Sequence, residues 1–118
     1  MKILVVEDHP GLGEVTCRLL RDVYEHEVGL AATGEGAIEK YLELQPELVL
    51  VDIHLPDIDG YEVARRIRGL PGSNSKLLVA LSGFECIETL AEAAGFDACF
   101  RKPMDYGELA TMRRTTPA

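Results

Sequence analysis

The sequence predicts a single α/β domain in which five βα units build a doubly wound parallel sheet with helices on both faces. Short continuous apolar runs alternate with segments whose apolar residues recur at helical spacing. The apolar runs lack the polar alternation of a half-exposed strand, as expected for strands buried on both faces. At 118 residues, 47% of them hydrophobic, the chain is long enough for one core, and we assign residues 1–118 to one domain.

The predicted strands are short runs of mainly apolar residues. The third is the clearest, because the four aliphatic residues Leu48–Val51 stop at one carboxylate, Asp52. The second is weaker, since it centres only on Val28 and Leu30. In chain order, the strands are predicted at 2–6, 26–31, 48–53, 77–81 and 97–101.

Each strand is followed by a segment with the spacing of an amphipathic helix. Thr33 or Gly34 is the predicted N-cap of the second helix, and Gly95 is the predicted end of the fourth. The last segment, 105–114, has only three apolar residues to contact a core, so it predicts a weak final helix. The apolar spacing places the helices, in order, at 12–23, 37–43, 63–70, 87–94 and 105–114.

Five such units with right-handed crossovers favour the strand order 2-1-3-4-5, the flavodoxin-like arrangement. Its ligand crevice lies between strands 1 and 3, at their carboxyl ends. Glu7 and Asp8, which follow strand 1, then lie beside Asp52 at the end of strand 3. Ser82 ends strand 4 and Lys102 follows strand 5, so all five polar residues meet at one edge of the sheet.

These residue types together indicate phosphoryl chemistry, although each alone is more typical of a cap, a turn or a solvated side chain. Three carboxylates in one crevice require a counter-charge, and oxygen ligands suit Mg²⁺. One of the acids could then attack a phosphoryl group and form an aspartyl phosphate. Lys102 would balance charge, and the Ser82 hydroxyl would hydrogen-bond a phosphoryl oxygen.

Composition excludes several other classes of function. No apolar run reaches membrane-spanning length, and the start of the chain turns acidic too soon for a signal peptide, so we expect a cytoplasmic protein without membrane insertion. The net charge of −8 argues against nucleic acid as a partner. Cys17, Cys86 and Cys99 lack CxxC spacing and are predicted to be reduced core thiols, and the three histidines are predicted to lie at the surface or an edge.

Four segments, in order and spread over nearly the whole chain, resemble the receiver domain of two-component response regulators. They are Val5-Val6-Glu7-Asp8, the run from Leu50 to Gly60 that contains Asp52-Ile53-His54-Leu55-Pro56, Ala80-Leu81-Ser82-Gly83, and Lys102-Pro103.

The resemblance implies a role for each of these residues. Asp52 would accept a phosphoryl group from a histidine kinase or a histidine phosphotransfer protein, Ser82 would be the switch hydroxyl, and Lys102 the charge-balancing lysine. Glu7, Asp8, Asp52 and the backbone carbonyl of His54 would hold Mg²⁺, and a cis peptide bond would precede Pro103. Such a domain speeds its own phosphorylation and dephosphorylation and converts no external metabolite.

The sequence departs from the family at two points. Cys99 stands where many relatives have an aromatic residue that couples to the switch hydroxyl, and Phe100, one residue later, should point to the opposite face of the sheet. The final helix is thin, so the surface that relatives use for partners or dimers is less predictable, and we expect a monomer or a weak dimer.

Two stretches, 60–68 and 94–103, are most similar to receivers attached to hybrid sensor kinases. The chain is therefore such a receiver, the receiver of a longer regulator, or a stand-alone protein. Two other functions stay open: an α/β phosphatase or phosphotransferase that uses an aspartyl phosphate, and a degenerate receiver that acts only as a binding module. Against the enzyme, strand 1 ends without the DxD pattern common in that class; against the degenerate receiver, all five polar positions are filled.

Overall fold

A computed structural model describes residues 1–112 and shows a sheet of five parallel strands in the order β2-β1-β3-β4-β5, which confirms the predicted topology. Each predicted strand is present, with its ends shifted by at most one residue. The strands are β1 (Lys2–Val6), β2 (Glu27–Ala31), β3 (Leu48–Asp52), β4 (Leu77–Ser82) and β5 (Ala98–Arg101).

Over the described residues 1–112, four α-helices and two 3₁₀ turns connect and follow the strands. The first helix begins two residues earlier than its apolar spacing indicates, because Pro10 occupies its first turn and the His9 ring accepts a hydrogen bond from the Leu12 N–H at 3.1 Å. The helices are α1 (Pro10–Asp22), α2 (Gly34–Leu44), α3 (Gly60–Arg68) and α4 (Glu88–Ala94), and the 3₁₀ turns are Ser73–Ser75 and Tyr106–Thr111.

The end of the chain differs from the predicted α-helix at 105–114. The described part of it is a 3₁₀ helix that Asp105 caps by accepting a hydrogen bond from the Gly107 N–H at 2.9 Å. Leu109 is fully buried against the sheet and anchors this segment. Residues 113–118 lie outside the described residues, so the prediction for 113 and 114 stays a prediction.

The core has two parts, one on each face of the sheet. Alternate residues of a strand enter opposite parts: Leu4 of β1 packs beneath α2, α3 and α4, whereas Ile3 packs beneath α1 and the C-terminal 3₁₀ helix. All five residues of β3 are buried, as its continuous apolar sequence predicts. The sheet therefore holds the ends of β1 and β3 rigidly beside each other.

The loop that follows β3 is fixed at both of its ends. The Gly60 N–H donates to the Ile53 carbonyl at 2.8 Å, and a Cβ at position 60 would lie 2.6 Å from the Asp52 carbonyl oxygen. Only glycine permits this close approach of α3 to the end of β3. No helix within residues 1–112 is both long and apolar enough to cross a membrane.

Candidate functional site

The carboxyl ends of β1 and β3 bring three carboxylates together. Val6 is in register with Val51, so Glu7 and Asp52 follow side by side, and both are less than one-tenth exposed. Asp8, the next residue along, is exposed to solvent. One oxygen from each of the three side chains lies within 4.8 Å of the other two. The predicted convergence of Glu7, Asp8 and Asp52 is therefore present.

Lys102 supplies the positive charge of this cluster. Its ammonium donates to Glu7 Oε1 at 2.6 Å and to Asp52 Oδ2 at 3.1 Å. Burial alone would lower the pKa of Lys102, but the hydrogen bonds to Glu7 and Asp52 outweigh it and raise the pKa above its ordinary value. Lys102 is therefore fully charged at neutral pH. The peptide bond that joins it to Pro103 is cis, as the resemblance implies.

Lys102 and Asp52 shift the pKa of Glu7 in opposite directions. Burial raises its pKa, the hydrogen bond from Lys102 lowers it, and the nearby Asp52 carboxylate raises it again, so that the net direction is upward. The second oxygen of Glu7 accepts a hydrogen bond from the His9 backbone N–H at 3.3 Å. One lysine does not fully compensate two buried carboxylates, which leaves the crevice favourable to a further cation.

Asp52 is held through both of its oxygens. Oδ1 accepts from the His54 backbone N–H at 3.0 Å, and Oδ2 accepts from Lys102. The carboxylate opens into a surface cavity of about 370 Å³, whose mouth is flanked by His54 and Phe84. These two rings meet edge to face with their centroids 5.3 Å apart. The cavity connects the Asp52 carboxylate with solvent.

Ser82 is the last residue of β4 and is buried. Its hydroxyl oxygen accepts a hydrogen bond from the Phe84 backbone N–H at 3.1 Å, so it is attached to the loop that leads to α4. The sheet places Ser82 at the same edge as Asp52, because Leu81 is in register with Asp52. Its role as a switch hydroxyl stays a prediction.

The three acidic side chains fit a hard divalent cation. Each offers a carboxylate oxygen, which is the ligand type that Mg²⁺ prefers. Because Asp8 is exposed, water from solvent would fill the remaining coordination positions of an octahedral ion. The predicted fourth ligand, the His54 carbonyl, belongs to the residue whose N–H already contacts Asp52.

Cys99 and Phe100 pack on opposite faces of the sheet, as expected. Cys99 packs with the core beneath α2, α3 and α4, and Phe100 packs with the opposite core. Phe100 therefore does not occupy the place of the aromatic residue that many relatives have. A half-buried thiol lies there instead.

Predictions about single side chains need correction at two points. His26 precedes the edge strand β2 but is buried rather than exposed: its Nδ1 lies 3.1 Å from the amino group of Met1, and burial, followed by that positive charge, lowers its pKa. Of the three predicted core thiols, only Cys17 is fully buried, whereas Cys86 and Cys99 are half-buried. Residue 86 lies between β4 and α4, outside the strand and the helix that were predicted on either side of it.

Asp57 has a structural role that its local sequence does not indicate. Its carboxylate accepts hydrogen bonds from the backbone N–H groups of Gly34 and Glu35, both at 2.8 Å, and so caps the start of α2 from another loop. These bonds lower the pKa of Asp57 to about 2. No local pattern reveals such a cap, because its partners lie 22 and 23 positions away.

Comparison with known proteins agrees with the geometry. Residues 3–114 match the family described as response regulator receiver domain. A protein-glutamate methylesterase/protein-glutamine glutaminase of Methanospirillum hungatei is 31% identical over 92% of the chain and 32% of its own length. The virulence sensor protein BvgS of Bordetella bronchiseptica is 35% identical over 92% of the chain and 9% of its own length.

Among solved structures, a response regulator receiver domain protein (CheY-like) from Methanospirillum hungatei is similar, with a TM-score of 0.81 and 28% identity. The similarity covers 93% of this chain and 87% of that one. In contrast, the chain spans one-third or less of the two relatives compared by sequence, which are much longer.

Proposed function

The chain belongs to the response regulator receiver domain family of two-component phosphorelays, and on that premise we propose that Asp52 is its phosphoryl acceptor. The observation that carries the proposal is the setting of the Asp52 carboxylate. It is buried at the end of β3, held by Lys102 at 3.1 Å, and open to a surface cavity on its other side. A carboxylate that is fixed in orientation and reachable by an incoming group is what nucleophilic attack requires.

In the proposed reaction an Asp52 oxygen attacks the phosphorus of a phosphohistidine on a partner protein. The new P–O bond forms as the P–N bond breaks, and the imidazole nitrogen leaves with the electron pair and then takes up a proton from solvent. Lys102 stays beside the acceptor and stabilises the negative charge of the transferred group, while the Ser82 hydroxyl donates to one of its oxygens.

Glu7, Asp8, Asp52 and the His54 carbonyl would hold Mg²⁺. When bound, Mg²⁺ supplies positive charge that neutralises the phosphoryl oxygens. Three carboxylates lie together there and Lys102 contacts two of them, so the negative charges outnumber the one lysine, which supports this assignment.

The partners follow from the chemistry. We propose a histidine kinase or a histidine phosphotransfer protein as the phosphoryl donor, and a cytoplasmic location, because the ATP that histidine kinases consume is found there.

Phosphorylation would switch the binding of a protein partner. The chain would act on no external substrate beyond its own phosphorylation and dephosphorylation, and it would be a monomer or a weak dimer.

The test is incubation with a small phosphodonor and Mg²⁺, followed by intact mass measurement. We expect one added phosphoryl group on the native chain and none on Asp52→Asn. The matched control is Asp59→Asn, on the same loop: Asp59 caps α3 through the Glu62 N–H at 2.8 Å, and asparagine caps equally well. An adduct that persists in Asp52→Asn would assign the acceptor elsewhere, and no adduct on the native chain with any donor would favour the pure binding module.

A further inference from the structure

A second cavity, of about 260 Å³, lies between α1 and the C-terminal 3₁₀ helix, and we call it the α1 cavity. Its inner wall is made of buried aliphatic side chains from three strands: Val5, Leu50 and Leu81. Leu12 is 40% exposed and Pro103 is exposed, so the cavity opens to solvent on their side. Glu7 and Lys102 line both this cavity and the one over Asp52, which makes the two cavities neighbours.

Thr16 of α1 places a hydroxyl group in the wall of the α1 cavity. The residue is only 5% exposed. Among residues 1–112, no group forms a hydrogen bond with this hydroxyl. Burying a hydroxyl without a partner is unfavourable, and a valine of the same shape would avoid that cost. The Thr16 hydroxyl is therefore available to a ligand that enters the cavity.

The two charged residues that line the α1 cavity, within the described part of the chain, are bonded to each other. The Lys102 ammonium donates to Glu7 at 2.6 Å and also to Asp52 at 3.1 Å. The second oxygen of Glu7 accepts from the His9 backbone N–H. Because these charges already have partners, an ion that entered the apolar cavity would lose its hydration without compensation. The cavity therefore favours a neutral ligand.

We propose that the α1 cavity binds a small neutral molecule that carries one ring and one hydroxyl group, of the phenol class. An apolar cavity on the order of 150 Å³ is large enough for benzene, so about 260 Å³ has room for a ring with a small substituent. A ring also loses less conformational freedom on binding than a flexible chain of equal volume. The ring would pack against the aliphatic wall, and its hydroxyl would hydrogen-bond Thr16.

Phenol is the probe, because its hydroxyl stays protonated at neutral pH like that of tyrosine. It is titrated into the full chain without Mg²⁺ or a phosphodonor, so that the result does not depend on the role of Asp52. Amide resonances are followed by two-dimensional NMR. We expect saturable shifts centred on Thr16, Leu81 and Tyr106, which line the α1 cavity.

Benzoate tests the preference for a neutral ligand, since it has the same ring with a negative charge. It should cause no saturable shift. Binding of benzoate as tight as that of phenol would overturn the proposal, and so would the absence of saturable shifts with phenol. Phenol shifts centred on His54 and Phe84 would place the ligand in the cavity over Asp52 instead, and would also overturn it.

Substitutions of Thr16 test the hydrogen bond. Thr16→Val keeps the shape and removes the hydroxyl, and we expect it to bind phenol about fivefold more weakly. The same variant should unfold at a higher temperature than the native chain when no ligand is bound, because the unpaired polar group is gone. Thr16→Ser retains the hydroxyl and should bind phenol nearly as the native chain does. Equal affinity in Thr16→Val and the native chain would overturn the role of the hydroxyl.

Two further variants separate the cavity from the rest of α1. Thr16→Met extends a longer side chain into the cavity and should abolish phenol binding. Val15→Ala is the matched control on the outer face of the same helix, where Val15 is 62% exposed, and it should leave phenol binding unchanged. Circular dichroism checks that each variant is folded, and Thr16→Val alone decides the matter if the methionine is not tolerated. A folded Thr16→Met with native affinity for phenol would place the ligand outside the cavity.

Discussion

At the scale of single residues, Lys102 and the proposed Mg²⁺ would share the same two carboxylates. The Lys102 ammonium donates to Glu7 and Asp52, and its raised pKa keeps it positive. Replacing it by glutamine removes this charge at similar length. We expect Lys102→Gln to bind Mg²⁺ roughly tenfold more tightly, about 1.4 kcal/mol, because one repelling charge within a few ångströms is gone.

Isothermal titration calorimetry with MgCl₂ measures this difference directly. Lys40→Gln is the matched control, since Lys40 lies on α2 and, within residues 1–112, forms an ion pair only with the exposed Glu43, at 3.6 Å. Equal or weaker binding in Lys102→Gln would mean that the lysine arranges the carboxylates for the ion, and that this arrangement outweighs the repulsion.

The sequence predicts the position of a residue well when that residue stands at the end of a strand, because the strand order then determines its neighbours. Asp52 and Ser82 each end a strand and Lys102 follows one, so the strand order alone brings them to one edge. His26 could not be placed in this way, because its burial depends on contact with the amino terminus.

At the scale of elements, Asp57 joins the β3–α3 loop to the start of α2. Its pKa of about 2 in the folded protein lies below the ordinary value of 3.8, so the hydrogen bonds stabilise the fold above pH 3.8 and are lost as the pH falls through 2. We expect the native chain to be more stable than Asp57→Asn at neutral pH, and the difference to shrink as the pH falls across this range.

Urea unfolding of both proteins at a series of pH values between 2 and 5, spanning the interval between those two pKa values, provides the measurement. A difference in midpoint that stays constant over the whole series would contradict the assignment of the cap to the ionised carboxylate. The stability difference between the two proteins would then arise from the shape of the side chain alone.

The elements themselves were predicted with different success, for a physical reason. Buried strands and capped helices carry strong periodic signals, and α2 begins where Thr33 accepts the Gly36 N–H at 2.9 Å, as its sequence indicates. Arg68 stands at a polar position of α3, and its guanidinium donates to the Gly95 and Lys76 carbonyls and to Asp97, which helps to hold the loops around β4 and β5. A long polar side chain can bridge loops at positions where a helical pattern shows only polarity.

At the scale of the whole molecule, the 20 acidic residues outnumber the 12 basic ones. The stability of the fold should therefore respond to NaCl and to MgCl₂ in two separable ways. NaCl screens the general repulsion and should stabilise the fold modestly. MgCl₂ at equal ionic strength should add a specific increment, about 2.7 kcal/mol when free Mg²⁺ is on the order of a hundred times its Kd. Thermal unfolding monitored by circular dichroism in the two salts gives the increment by difference.

Asp8→Asn tests whether that increment belongs to the acidic cluster. Asp8 is the exposed member, so the substitution leaves the buried bonds of Lys102 in place. We expect it to remove most of the Mg²⁺ increment and to leave the NaCl response nearly unchanged. If the Mg²⁺ increment survives in full, the ion binds elsewhere on the acidic surface.

The bond between Lys102 and Glu7 joins positions 95 residues apart, and this has a consequence during biosynthesis. At a translation rate of about 5–20 residues per second, the ribosome adds the lysine roughly 5 to 20 s after the glutamate. Until then the nascent chain carries the acidic residues without their cation. A product released after Asp52 but before Lys102 would lack the group that compensates the Asp52 charge, so such incomplete chains would be poor competitors for the phosphoryl donor.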